Sequence, residues 1–184
     1  MRAFVALGVE EPKVLDSIQA VQTKLRATGA DLKLVERENL HFTIRFLGEI
    51  SEAQASEAAA RLGALSLKGG RAEVRGVGAF PSAASPRVVW CGMSPEGESL
   101  VNSIANSVSS ALQGIGEQER GEFKAHLTLA RVRSPRGSQA LAAEIRNCSA
   151  LAFGLTDLVA LRLKSSALTP RGPVYSDVGV YPLN

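Results

Sequence analysis

The chain has 184 residues, 45% of them hydrophobic, and a mean hydropathy of +0.05, which excludes a disordered or membrane-embedded chain and fits a folded globular one. A total of 21 Lys and Arg against 18 Asp and Glu gives a formal charge of +3, a mild bias toward polyanionic partners. The FVALGV segment after Met1-Arg2 is too short for a signal-peptide core, and no apolar run nears the roughly 20 residues that span a bilayer. A cytoplasmic location without membrane association is therefore expected.

Taken in order, residues 2–9 read as a strand. Pro12 suits the first turn of a helix whose Val14, Leu15, Ile18, Val21 and Leu25 share one face, with Gly29 as its stop. After a short connection a second strand is expected over about 40–47, closed by Gly48. Ser51-Glu52-Ala53-Gln54 has the form of a capping box and opens an Ala-rich helix to about residue 65. A strand over 87–93 follows, and then Ser94-Pro95 starts a helix with its apolar stripe on Leu100, Val101, Ile104, Val108 and Leu112. The spacing predicts a strand over about 123–132, a helix over 138–147, and closing strands over about 151–163 and 173–181. Cys91 and Cys148 stand far apart with no C-x-x-C spacing, the pattern of buried thiols and not of a zinc site or disulfide.

The second half repeats the order of the first. Gly8 and Gly92, Ser17-Ile18 and Ser103-Ile104, and His41 and His126 each stand about 85 positions apart. The expected architecture is α+β: two pseudo-symmetric lobes, each an antiparallel sheet with helices on its outer face, and a groove between them. Residues 1–184 are read as one bilobal domain with an internal duplication.

The two histidines, the only ones in the chain, open matching tetrapeptides, His41-Phe42-Thr43-Ile44 and His126-Leu127-Thr128-Leu129. On a strand, residues two apart face the same side. Each unit therefore turns an imidazole and a hydroxyl one way and packs two apolar side chains the other. An imidazole exchanges a proton near neutral pH and a hydroxyl donates to an oxyanion, so two such pairs can hold a phosphate between an acid and a base. There is no H-E-x-x-H metal pattern and no G-x-S-x-G nucleophile elbow. A covalent phosphohistidine is open in principle, but the symmetry favours acid-base work.

The stretch from Glu38-Asn39-Leu40 through His41-Phe-Thr-Ile-Arg-Phe-Leu-Gly48, with His126-Leu-Thr-Leu-Ala-Arg131, resembles the signatures of the two-histidine (2H) phosphoesterases, in particular their bacterial RNA 2′,3′-cyclic phosphodiesterase (2′-5′ RNA ligase-like) family. The opening Arg2-Ala-Phe-Val-Ala-Leu, Pro86-Arg-Val-Val-Trp-Cys-Gly92 and Gly172-Pro-Val-Tyr175 extend the resemblance over nearly the whole chain. It implies hydrolysis of an RNA or nucleoside 2′,3′-cyclic phosphate to a 2′-phosphate, with no metal or other cofactor. His41 is then the proton donor and His126 the acceptor. Thr43, Thr128 and Arg131 would bind the phosphate, with Arg45 as a further phosphate candidate and Phe4 as a base-stacking one.

Strict alternation places Arg45 on the face of His41 but Arg131 opposite His126 unless the strand bulges. Trp90 and Tyr175 match family positions and are read as packing. The chain departs from the family at Ala125, where proline is usual, and at Leu34, where many members carry tryptophan. The expected partners are RNA ends or nucleotides with a 2′,3′-cyclic phosphate, acted on by a monomer with no obligate protein partner. The same residues would serve 2′-5′ RNA ligation, the reverse reaction, and a third reading is an RNA-end-binding module without turnover.

Overall fold

The computed structural model describes residues 1–118 and 120–184. Among them the order is β1 (Arg2–Gly8), α1 (Pro12–Ala27), β2 (Leu32–Leu34), β3 (His41–Glu49), α2 (Glu52–Gly63), β4 (Gly70–Pro81), β5 (Pro86–Met93), α3 (Pro95–Ala111), β6 (Leu127–Val132), α4 (Ser138–Asn147), β7 (Ala152–Leu158), β8 (Ala160–Thr169) and β9 (Gly172–Pro182). The helices start where local chemistry starts them. Glu11 accepts from Lys13 N at 3.3 Å before Pro12. Ser51 and Gln54 form the capping box at 3.0 and 3.1 Å, and Ser94 accepts from Gly97 N at 3.3 Å before Pro95. Each cap satisfies N–H groups that the first helical turn leaves without a partner.

The strands form one antiparallel sheet in the order β7-β4-β5-β6-β3-β1-β8-β9, with β2 added to β6. It consists of two halves, β3-β1-β8-β9 and β6-β5-β4-β7. Between them the ladder is a single pair, Phe42 opposite Leu127. β2 takes the next stretch of that edge of β6, pairing Leu32, Lys33 and Leu34 with Val132, Arg131 and Ala130. The two halves are thus stapled by hydrogen bonds at a single pair among the described residues, and α3 packs across both.

Phe42 and Leu127 are both fully buried, as are Ile44 and Leu129 within 1%. α1 packs on β6 and β7, α3 on β3, β4 and β5, α4 on β4 and β5, and α2 on β9. One continuous core joins these layers. The α+β class and the antiparallel sheet halves under helices are as the sequence implied.

Four elements differ from the sequence reading. β2 forms where only a connection was expected. β4 was not anticipated, because Gly76 and Gly78 interrupt its alternation. Gly76 has φ +79° at a register shift, and a Cβ on Gly78 would stand 2.5 Å from the Trp90 ring. The 151–163 run is two strands broken at Val159: β7 pairs with β4 at one end of the sheet, whereas β8 pairs with β1 in the other half. β6 begins only at Leu127, the residue where both β3 and β5 engage it, so His126 immediately precedes the strand.

The staple gives a direct test. Leu127→Ala removes a buried side chain at the one point of β3–β6 pairing and should cost about 2–5 kcal/mol in urea unfolding. A loss under about 1 kcal/mol, below the usual range for such a truncation, would show that the halves are joined mainly elsewhere.

Candidate active site

Extending the Phe42–Leu127 register by one residue each way sets His41 across from Thr128 and Thr43 across from His126. All four are half-buried, and all four line one cavity of about 460 Å³. The single staple therefore makes a square of two imidazoles and two hydroxyls.

Both imidazoles are oriented by the same device. His41 Nδ1 is 2.7 Å from the carbonyl of Asn39, and His126 Nδ1 is 2.8 Å from the carbonyl of Lys124, two residues back in each case. A carbonyl only accepts, so each Nδ1 donates its proton and each Nε2 is left to act on a ligand. His41 Nε2 also stands 3.1 Å from Thr43 Oγ1.

Their surroundings then differ. Phe4 stacks on His41, with ring centres 5.0 Å apart and planes 25° from parallel, and Tyr175 meets both rings edge-on at 5.1 and 5.6 Å. His126 instead has edge contacts with Phe80 at 5.0 Å and Trp90 at 6.4 Å. Burial holds His41 below the usual imidazole range, against the opposing pull of the Asn39 carbonyl. The charges of Lys164 and His126 depress it further.

The arginines are sorted by two matching irregularities. Along β3 the partners of β1 skip Ile44, so that Val5 pairs with Arg45 and Ala6 with Thr43. Along β6 the partners of β5 skip Leu129, so that Val89 pairs with Ala130 and Trp90 with Thr128. Each extra residue reverses the alternation. Arg131 is thereby turned onto the face of His126 and Thr128, where it lines the cavity. Arg45 is turned away.

Its guanidinium, 5% exposed, donates to the carbonyls of Ser109 at 2.8 Å and Ile115 at 3.4 Å. Arg45 therefore ties β3 to the end of α3 and the loop after it, which corrects its expected place among the phosphate ligands. The residue that takes the position matching Arg131 is Phe46, which lines the cavity and was missed because the bulge has no mark in the sequence. The bulge in β6 is fixed by a buried amide. Gln22 of α1 donates from Nε2 to the carbonyls of Val35 at 2.8 Å and Leu129 at 2.9 Å, and Val35 N also donates to Leu129 O at 2.9 Å.

Matches to known proteins agree with this geometry. Residues 8–90 fit the model of the LigT-like phosphoesterase family. An Archaeoglobus fulgidus protein named RNA 2′,3′-cyclic phosphodiesterase is 39% identical, over 98% of this chain and 99% of its own length. An Aeropyrum pernix protein of the same name is 40% identical over 80% and 84%. The chain belongs to the LigT-like phosphoesterase family. Among solved structures, a Thermus thermophilus protein is 30% identical and superposes with a TM-score of 0.79, covering 100% of this chain and 98% of that one. Escherichia coli LigT, solved with 3′-AMP, shares the fold at 22% identity and a TM-score of 0.77, over 99% and 97%.

In this LigT-like phosphoesterase, Phe4 lines the cavity beside His41. It is 4% exposed, with His41 on its face and Tyr175 at its edge, so it backs the imidazole. Tyr175, read as packing, reaches the cavity wall, and so does Leu34 at the position of the family tryptophan. Among the described residues no three His, Cys, Asp or Glu side chains gather as metal ligands.

Gln22 supplies a test of the bulge. Gln22→Leu leaves buried carbonyls short of a donor and should cost about 1–3 kcal/mol in thermal unfolding. It should also weaken inorganic phosphate binding, measured by calorimetry, because Arg131 loses its fixed direction. Lost stability with unchanged phosphate affinity would separate Gln22 from the site.

Proposed function

We propose that the protein hydrolyses the 2′,3′-cyclic phosphate at RNA ends, or of nucleosides, to a 2′-phosphate by acid-base catalysis between its two histidines. The observation that carries this is the square of His41, Thr128, Thr43 and His126 across one strand pair, with both Nδ1 atoms tied to carbonyls, so that the Nε2 atoms, that of His41 beside Thr43 Oγ1, are the ones that can exchange a proton. The names of the relatives supply the substrate class.

Water attacks phosphorus while neutral His126 Nε2 takes its proton. The bond from phosphorus to the 3′ oxygen breaks, and that oxygen receives the proton of His41 Nε2, leaving a 3′ hydroxyl and a 2′ phosphate. Thr43, Thr128 and Arg131 hold the nonbridging oxygens as negative charge builds. The assignment of donor to His41 comes from the family pattern, and burial of His41 works against it in the free protein, since burial favours the neutral ring. The substrate supplies the correction: an anionic phosphate in the cavity stabilises the imidazolium, so the acid is charged when its substrate arrives. The same reading takes the protein as a cytoplasmic monomer with no required protein partner.

Replacing either histidine with alanine should remove at least about 1000-fold in turnover of a nucleoside 2′,3′-cyclic phosphate, and EDTA should change nothing. Near-complete activity in either variant would overturn the acid-base pair. Product analysis should give the 2′-phosphate; a 3′-phosphate would reverse the two histidine roles. Followed by NMR in the free protein, His41 should lose its proton below the usual value of about 6.5. Adding 2′-AMP should move that midpoint upward, and an unmoved midpoint would leave His41 without the charge a donor needs.

A further inference from the structure

Thr43, His126 and Thr128 stand where two cavities meet, with His41 on the side of the smaller one. The cavity of about 460 Å³ described above has apolar and aromatic walls from Phe4, Leu34, Val35 and Tyr175. A second groove of about 920 Å³ leaves the centre along the segment between α3 and β6. The two share Thr43, Phe46, His126, Thr128 and Arg131. Phe46 therefore walls both; it is 37% exposed, and the Arg2 guanidinium sits 5.1 Å above its ring.

Farther out the groove presents Phe123, half-buried, and Arg120 and Lys124, both exposed. Glu117 and Glu122 line it as well. Arg120, Lys124 and Arg131 stand among these carboxylates, Lys124 also 3.5 Å from Glu98 outside the groove, while Arg45 is committed to carbonyls. Aromatic rings interleaved with cations are the means by which proteins hold a single strand, the rings stacking bases and the cations following the backbone.

The chemistry of the substrate gives this groove an occupant. A 2′,3′-cyclic phosphate closes one edge of the terminal ribose, and the polymer leaves that ribose through its 5′ oxygen. A terminal nucleoside seated in the smaller, apolar cavity presents its cyclic phosphate at the junction. The preceding nucleotide then needs a path that opens at the same atoms. We infer that the groove over Phe46, Phe123 and Arg120 is a subsite for the ribonucleotide on the 5′ side of the cyclic end, so that the protein favours oligoribonucleotide ends over mononucleotides. This rests on the activity proposed above and adds a second binding position to it.

The test compares a diribonucleotide ending in a 2′,3′-cyclic phosphate with the corresponding nucleoside 2′,3′-cyclic phosphate, on the full chain. One stacked base should raise kcat/KM for the dinucleotide about fivefold or more. In Arg120→Glu and in Phe123→Ala the ratio of the two kcat/KM values should fall toward one. Phe123 also packs against the core, so the exposed Arg120 gives the variant whose folding is not in question. A wild-type ratio of one, or a ratio unchanged in Arg120→Glu, would overturn the subsite. If neither compound is turned over, the proposed activity falls, and the subsite is read from binding alone. A dinucleotide 2′-phosphate should then bind at least about fivefold more tightly than a mononucleotide 2′-phosphate, and equal affinities would overturn it.

Discussion

One antiparallel pair, Phe42 with Leu127, carries the arrangement of this molecule. It is the only rung of the ladder between the two halves of the sheet among the described residues, and both side chains are wholly buried. Because side chains alternate across a strand, burying these two on the core face forces their neighbours His41, Thr43, His126 and Thr128 onto the other. The reactive square follows from where two apolar residues are packed. The ladder does not continue on one side because β2 occupies the adjoining edge of β6.

The two halves match in their histidine anchors and in their bulges, yet they diverge in what the bulges deliver. The extra residue in β3 brings Phe46 to the cavity and buries Arg45; the extra residue in β6 brings Arg131 to it and buries Ala130. Matching bulges thus present an aromatic ring on one side and a guanidinium on the other. The histidines are distinguished in the same way, His41 under the face of Phe4 and His126 at the edges of Phe80 and Trp90. The anchors are alike and the packing differs, and burial alone keeps His41 toward the neutral ring.

Much of this was legible in the sequence, and the part that was not has a common cause. The helices announced themselves through Pro12, Ser51 with Gln54, and Ser94-Pro95, since caps are local chemistry. The His and Thr positions were legible because a period of two needs no knowledge of the partner strand. Arg45 and Arg131 were not, since a bulge is a mismatch between two strands and Ile44 and Leu129 look like ordinary inward residues. β4 was hidden because Gly78 answers to the Trp90 ring, a partner 12 positions away in sequence and directly opposite in the ladder. Val159 carries no composition signal for the break at which the chain leaves one end of the sheet for the other half.

That break at Val159 bears on how the molecule comes into being. β1 is made first, but one of its two edges is completed only by β8, with Arg2 opposite Ser166. Pairing strands so distant in sequence closes a very long loop before any contact rewards it, which slows folding. Tyr175, which walls His41, lies on β9, the partner of β8. The square of histidines and threonines is set by β3 and β6, whereas this aromatic wall is added by the final hairpin.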